Sequence, residues 1–120
     1  MTTADPLSIA RRYHDGWTSK NDEQAIELLA PTLAIEVPIN AYPTAESFGQ
    51  ALRGFGELVS NVEVLSEMSA RDEAMLLYDM QVEGLGELRV VEHFTVTGGH
   101  IVRLRQVHDT AAVRAAGLAA

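Results

Sequence analysis

Four long stretches in the C-terminal half of the chain alternate between apolar and polar residues, which is the spacing of β-strands. They run over residues 62–68, 74–83, 87–96 and 101–108. Glycine-containing turns at Gly84-Leu85-Gly86 and Thr97-Gly98-Gly99 separate the last three stretches and predict two hairpins. Strands joined in this way predict an antiparallel sheet, and the apolar face of such a sheet must be covered by another layer.

The N-terminal half supplies that layer. Asp5-Pro6 is a typical helix start, and Tyr13 and Trp17 lie on one apolar side of the helix that follows. A second helix, capped by Asn21 or Asp22, carries apolar residues as far as Leu29 and should end before Pro31.

A period of two over residues 33–39 predicts a first strand. Thr44 can cap a third helix, whose Phe48, Leu52 and Phe55 follow helical spacing. The order of elements therefore predicts an α+β fold. We expect a cone-shaped, curved antiparallel sheet with three helices from the N-terminal half on its concave face, enclosing a conical pocket.

Length and charge narrow the possible functions. The 120 residues, 47% of them hydrophobic, predict one domain over 1–120 in which 111–120 form a short Ala-rich tail. The net charge of −8 argues against nucleic acid as a partner, because nucleic-acid binders need clustered cations. Without cysteine there is no thiolate chemistry. Residues 1–5 lack the pattern of a secretory signal, and no apolar stretch is long enough to cross a membrane, so we expect a cytoplasmic protein.

Glu92 is the most informative residue of the sequence. It interrupts the apolar stripe of Leu88, Val90, Phe94 and Val96, where a charged, unpaired carboxyl would be costly to bury. In a dry pocket its pKa should rise, so that it could act as a neutral hydrogen-bond donor or as an acid–base group. The alternatives are a structural glutamate bonded to a nearby Tyr or Arg, or a sheet face that is more solvated.

Tyr13 can place a hydroxyl at the polar end of the same pocket, and His108 could carry protons from the end of the last strand. An aromatic helix face is, however, more often core, and a histidine at a strand end is often structural. The expected catalytic residues are therefore Glu92, Tyr13 and His108. The expected ligand-binding residues are Trp17, Val37, Phe48, Phe55, Tyr78, Met80, Phe94 and Gln106.

A metal or nucleotide cofactor is not expected. His100 and His108 are eight residues apart on one predicted strand, about 27 Å at 3.3 Å per residue, and no histidine pair has metal-ligand spacing. The sequence also contains no nucleophile elbow and no glycine-rich phosphate loop.

Four segments resemble the nuclear-transport-factor-2-like superfamily, which includes ketosteroid isomerases, limonene-epoxide hydrolases and SnoaL-like polyketide cyclases. They are ARRYHDGW at 10–17, AIELLA at 25–30, LAIEVP at 33–38 and VEHFTVTGGHIVRLRQ at 91–106. The resemblance implies a SnoaL-like domain with the cystatin-like α+β barrel, and it covers residues 4–109. The superfamily hosts both enzymes and binding modules.

The resemblance also implies roles for single residues. Tyr13 matches the oxyanion-hole tyrosine of the isomerases, and Glu92 matches their protonated acid. The position of their general-base aspartate is occupied by Val37, while the late-strand aspartate of the epoxide hydrolases corresponds to Gln106. Neither reaction is therefore inherited intact.

Three functions remain open. The first is cofactor-independent proton transfer on a small hydrophobic molecule, as in an isomerase, cyclase or epoxide hydrolase. The second is a non-catalytic binding module with the same pocket, and the third is a dimerisation module. We also expect a homodimer, because Val91, Thr95, Ile101 and Val107 would make the outer sheet face partly apolar.

Overall fold

The computed structural model describes residues 5–118. Residues 1–4, which belong to the N-terminal segment interpreted above, and the last two residues of the Ala-rich tail lie outside the described part. The elements in chain order are α1 (Pro6–Thr18), α2 (Asp22–Ile26), β1 (Leu29–Glu36), α3 (Ala45–Gly56), β2 (Val59–Ala70), β3 (Glu73–Val82), β4 (Gly86–Thr97), β5 (His100–His108) and α4 (Ala111–Ala115). None of the helices in this part of the chain is long and apolar enough to cross a membrane.

The α+β fold expected from the sequence is confirmed, with helices packed on one face of a curved, unclosed sheet. The strand order is β1-β5-β4-β3-β2. The consecutive strands β2, β3, β4 and β5 pair in antiparallel hairpins, as the alternation predicts. The sheet is nevertheless mixed, because β1 pairs with β5 in parallel. No hairpin joins these two strands, so their relative direction is not encoded in a local turn.

Helix α1 forms where its capping signal predicts. The Asp5 carboxylate accepts a hydrogen bond from the Ser8 backbone N–H, and proline occupies the first turn, where its missing N–H costs nothing. The buried face includes Tyr13 and Trp17 and packs on β2, β3 and β4. The helix therefore delivers two aromatic side chains to the concave side of the sheet.

The predicted second helix is too long and the predicted first strand starts too late. Helix α2 ends at Ile26, and β1 begins at Leu29 and includes Pro31. The Ile101 backbone N–H donates to the Leu28 carbonyl oxygen at 2.7 Å. This hydrogen bond joins the segment before Pro31 to β5 of the sheet. Pro31 is tolerated because β1 is an edge strand with an irregular register between Leu29 and Ala34.

The interpretation of Ile101 as an outer-face residue is wrong. It is 0% exposed and belongs to the core. Adjacent residues Thr95 and Val96 of β4 pair with Arg103 and Ile101 of β5, which leaves Val102 as an extra residue on β5. This β-bulge changes the alternation of side chains along the strand, and simple period-two counting missed it.

The Ala-rich tail contains a short helix that was not predicted above. Residues 111–115 form helix α4, whose Val113 side chain is buried. The Asp109 carboxylate accepts a hydrogen bond from the Ala111 backbone N–H at 3.0 Å, which fixes the turn between β5 and the helix. The tail thus returns to the body of the protein.

Candidate functional site

A cavity of about 290 Å³ lies between the helices and the concave sheet face. Helices α1 and α3 supply mainly aromatic and aliphatic walls, from Tyr13, Trp17, Phe48, Leu52 and Phe55. Strands β3 and β4 form the opposite wall, from Tyr78, Met80, Leu88, Val90 and Glu92. A mostly apolar cavity with a few convergent polar groups is the usual form of a small-molecule site.

Glu92 places a carboxyl group at the inner end of this cavity. Its side chain is 1% exposed. The Tyr78 hydroxyl donates a hydrogen bond to Glu92 Oε1 at 2.7 Å. The Gln106 side-chain amide donates to Oε2 at 3.0 Å. Because β4 pairs with β5 in this register, Glu92 lies directly opposite Gln106. The expected interruption of the apolar stripe is therefore a buried, hydrogen-bonded carboxyl.

Burial raises the pKa of the Glu92 carboxyl above its ordinary value, because a low-dielectric surrounding disfavours the charged form. The hydrogen bonds from Gln106 and Tyr78 oppose this rise, since they favour the carboxylate. Burial has the larger effect. The inner end of the cavity can therefore hold a neutral acid that donates a proton or a hydrogen bond.

Tyr13 brings a second hydroxyl to this end of the cavity. Its side chain is fully buried, and its ring packs edge-on against Phe94 with the ring centroids 5.6 Å apart. Burial and the nearby Glu92 charge raise the pKa of Tyr13 well above its ordinary value, so the hydroxyl keeps its proton. Within residues 5–118 this hydroxyl has no hydrogen-bond partner, and a buried polar group of this kind is costly to leave unpaired.

Trp17 has a similar unpaired group in the same wall. It lies one helical turn after Tyr13, lines the cavity and packs against Phe55 and Tyr78. Its indole N–H is buried and finds no acceptor among the described residues. An indole N–H can only donate, so both unpaired groups suit a ligand that carries hydrogen-bond acceptors.

Tyr78, one of the expected ligand-binding residues, adds a further hydroxyl to the cavity lining. Burial, followed by the charge and hydrogen bond of Glu92, raises the pKa of Tyr78 well above its ordinary value. Asp79 points to the opposite face, where it pairs with Arg89 at 2.7 Å. The alternation along β3 thus separates a site residue from a surface ion pair.

The predicted site residues come together with one exception. The cavity is lined by all the others, namely Glu92, Tyr13, His108, Trp17, Val37, Phe48, Phe55, Tyr78, Met80 and Gln106. Phe94 lies outside this lining, behind the ring of Tyr13. It occupies the fully buried core, because α1 covers its position on β4.

Several lining residues were not expected from the sequence. Val113 and Leu118 close the cavity from the C-terminal segment, and Tyr42 contributes from the loop before α3. The only signal for the first two is that they are the large apolar residues of a tail made mainly of alanine. Tyr42 packs edge-on against Phe48 with the centroids 5.5 Å apart, a contact that no local spacing predicts.

The remaining histidines lie away from the cavity lining. His14 is buried between Trp17 and Tyr78, with its ring centroid 4.7 Å from that of Tyr78, and burial lowers its pKa. His93 contacts Glu73, and His100 is exposed. Over residues 5–118, no group of three or more His, Asp or Glu side chains is placed to hold a metal ion.

Solved structures with the same arrangement identify the fold. A protein from Kribbella flavida DSM 17836 matches with a TM-score of 0.86 and 26% sequence identity, over 92% of each chain. An NTF2-like protein from Burkholderia thailandensis E264 matches with a TM-score of 0.77 and 22% identity, over 98% of each chain. The chain has the NTF2-like fold. The sequence matches no protein-family model and no curated protein.

Two other proteins with the NTF2-like fold are enzymes by name. A steroid delta-isomerase from Pseudomonas aeruginosa is 16% identical with a TM-score of 0.78, over 95% of this chain and 87% of its own. An LEH-like epoxide hydrolase from M. tuberculosis is 13% identical with a TM-score of 0.76, over 95% of this chain and 90% of its own. At such identities the likeness establishes the fold, and the reaction must be argued from the site.

Proposed function

We propose that this protein binds a small hydrophobic molecule in the cavity and catalyses proton transfer on it without a cofactor. The observation that carries the proposal is the buried Glu92 carboxyl in an otherwise largely apolar cavity. Burying a carboxyl costs stability, and its pKa is shifted towards the range useful for acid–base chemistry. If this region were only hydrophobic core, an apolar residue at position 92 would make the fold more stable.

The cavity size favours a compact ligand. A volume of about 290 Å³ corresponds to roughly ten water-sized groups at about 30 Å³ each. A bicyclic compound is of this size. Its apolar body would contact the aromatic residues of α1 and α3, and an acceptor oxygen would lie at the inner end near Glu92 and Tyr13.

The chemistry follows from the protonation states at that end. In its protonated form, which burial favours, Glu92 can donate its proton to an oxygen of the ligand. The unpaired Tyr13 hydroxyl can donate a hydrogen bond to the same oxygen. Tyr78 and Gln106 hold the two carboxyl oxygens, so that Glu92 keeps its orientation after the proton leaves. Negative charge that develops on the ligand oxygen is thereby stabilised.

A binding test can use the protein's own fluorescence. Trp17 is the single tryptophan and lines the cavity, so its emission reports occupancy of the cavity. Titration with decalone, a bicyclic ketone, should change this emission. Tyr13→Phe should weaken binding about two- to twelvefold, because a hydrogen bond is worth about 0.5–1.5 kcal/mol.

Glu92→Gln should retain binding, since a glutamine amide can still donate, but should abolish catalysed proton exchange at the carbon next to the ketone. Glu87→Gln is the matched control, because Glu87 is an exposed residue of the same strand. Unchanged emission with the wild type would contradict binding in the cavity, as would equal affinities of the wild type and Tyr13→Phe.

The alternative is a non-catalytic binding module. It is favoured by the fact that both Glu92 oxygens already accept hydrogen bonds from Tyr78 and Gln106, which suits a structural carboxyl. Binding of decalone without proton exchange by the wild type would select this alternative.

A further inference from the structure

His108 is held in one tautomer by the backbone. Its Nδ1 atom lies 2.9 Å from the carbonyl oxygen of Asp109. A carbonyl oxygen can only accept a hydrogen bond, so Nδ1 must carry the hydrogen. In the neutral ring the other nitrogen, Nε2, then has a free lone pair and can accept a proton.

The carbonyl that fixes this tautomer is itself fixed. The Asp109 carboxylate accepts a hydrogen bond from the Ala111 backbone N–H, and α4 follows directly. His108 is half-buried and lines the cavity. The ring is therefore oriented by the turn between β5 and α4 and borders the space that a ligand would fill.

Resting on the proposed function, we propose that His108 Nε2 is the general base of this site and that the substrate is a compact ketone with a C–H group next to its carbonyl. Among the described residues that line the cavity, Glu92 supplies the carboxyl and His108 supplies the imidazole. His14, His93 and His100 do not line it.

The sheet register places the base and the acid at a useful separation. Glu92 pairs with Gln106, and His108 is two residues further along β5 on the same face. Such diagonal neighbours are about 7–8 Å apart. A ketone between them can present its oxygen to Glu92 and its adjacent C–H to His108, which two side chains in direct contact would not permit.

The transfer balances with these two groups alone. Nε2 takes the proton from the carbon, and the C–H electron pair forms a C=C bond while the C=O pair moves to oxygen. Glu92 gives its proton to that oxygen, which produces the enol, an imidazolium and a carboxylate. The reverse transfer returns a proton to carbon and restores both groups. In heavy water this cycle replaces hydrogen by deuterium at that carbon.

The test measures that replacement in decalone by NMR, with Trp17 emission as a separate measure of binding. His108→Asn keeps a donor near the position of Nδ1 for the Asp109 carbonyl but removes the base. It should lower the exchange rate by about 100-fold or more and leave decalone affinity within about twofold. His100→Asn, an exposed position on the same strand, should change neither.

The outcomes separate this assignment from the proposed function. Undiminished exchange in His108→Asn would overturn the role of His108 and leave the proposed function standing. Binding without exchange by the wild type would overturn the assignment together with catalysis. Absence of binding to the wild type would overturn both the site and the assignment.

Discussion

The buried Glu92 carboxyl should make the stability of the protein depend on pH in a particular direction. Replacing it by glutamine removes the titrating group while preserving its size and its acceptor for the Tyr78 hydroxyl. We expect the free energy of unfolding of the wild type to fall relative to that of Glu92→Gln as the pH rises. The groups that contact or face this carboxyl are Tyr78 on β3, Gln106 on β5 and Tyr13 on α1.

The magnitude follows from proton linkage. Burial raises the pKa of Glu92 in the folded state above the ordinary value of 4.5. At pH values between 4.5 and the folded-state pKa, the folded state therefore binds more protons than the unfolded state. The contribution of Glu92 to the free energy of unfolding is fully present below the ordinary pKa of 4.5. It is lost as the pH rises towards the folded-state pKa. The limiting slope is about 1.4 kcal/mol per pH unit, and the loss ends where the folded carboxyl ionises.

Urea unfolding followed by Trp17 emission would measure this difference from pH 4 to pH 9, roughly the range that a raised carboxyl pKa can reach. Trp17 is buried in the folded state, so its exposure marks unfolding. Glu87→Gln, on the same strand but exposed, should differ from the wild type by no more than about 0.5 kcal/mol.

A difference between wild type and Glu92→Gln that does not vary with pH would refute the reasoning. A wild type that gains stability relative to the variant as pH rises would refute it in the other direction. In that case the hydrogen bonds from Tyr78 and Gln106 would outweigh burial, and Glu92 would be a carboxylate at neutral pH.

Two further predictions concern packing and assembly. Gly16→Ala should destabilise the fold by about 1–3 kcal/mol, because the new Cβ would lie 2.9 Å from the Ala25 backbone nitrogen. At Gly54 an added Cβ would meet no atom within 4 Å, so Gly54→Ala should stabilise the fold by up to about 1 kcal/mol. Thermal denaturation compares the two variants, and equal losses of stability would contradict the contact at Gly16. We also expect a homodimer through the outer sheet face, where Val107 is 67% exposed. Val107→Glu should therefore shift sedimentation towards the monomer, while Gln50→Glu, at an exposed position on helix α3, should not. A wild-type monomer at micromolar concentration would contradict this.

Much of the sheet could be predicted from the sequence because its signals are local. The alternation that buries Tyr78 and Met80 needs only the period of a strand, and the hairpin turns need only their glycines. The same alternation placed Glu92 on the inner face, where the structure has it. The carboxyl was recognisable because it stands alone among apolar neighbours.

The remaining features depend on contacts between distant segments. Pro31 ends a helix by local rules but lies in a strand, because Leu28 and Leu29 meet Ile101 across the sheet. Val113 acquires its place in the cavity only when α4 folds back after Asp109. Phe94 shares a face with Glu92, yet the ring of Tyr13 covers it. No spacing within one element contains this information.

The extra residue in β5 has a consequence for how this site can change by insertion or deletion. With Val102 in place, Ile101 belongs to the core while Gln106 and His108 still reach the cavity. Deleting Val102 would restore plain alternation and leave Gln106 and His108 on the inner face. Losing the bulge with Val102 retained and Ile101 kept inward would instead act like a one-residue slip of the strand. Arg105 and Val107 would then face inward, and the partner of Glu92 and the proposed base would both be lost without a change to either residue.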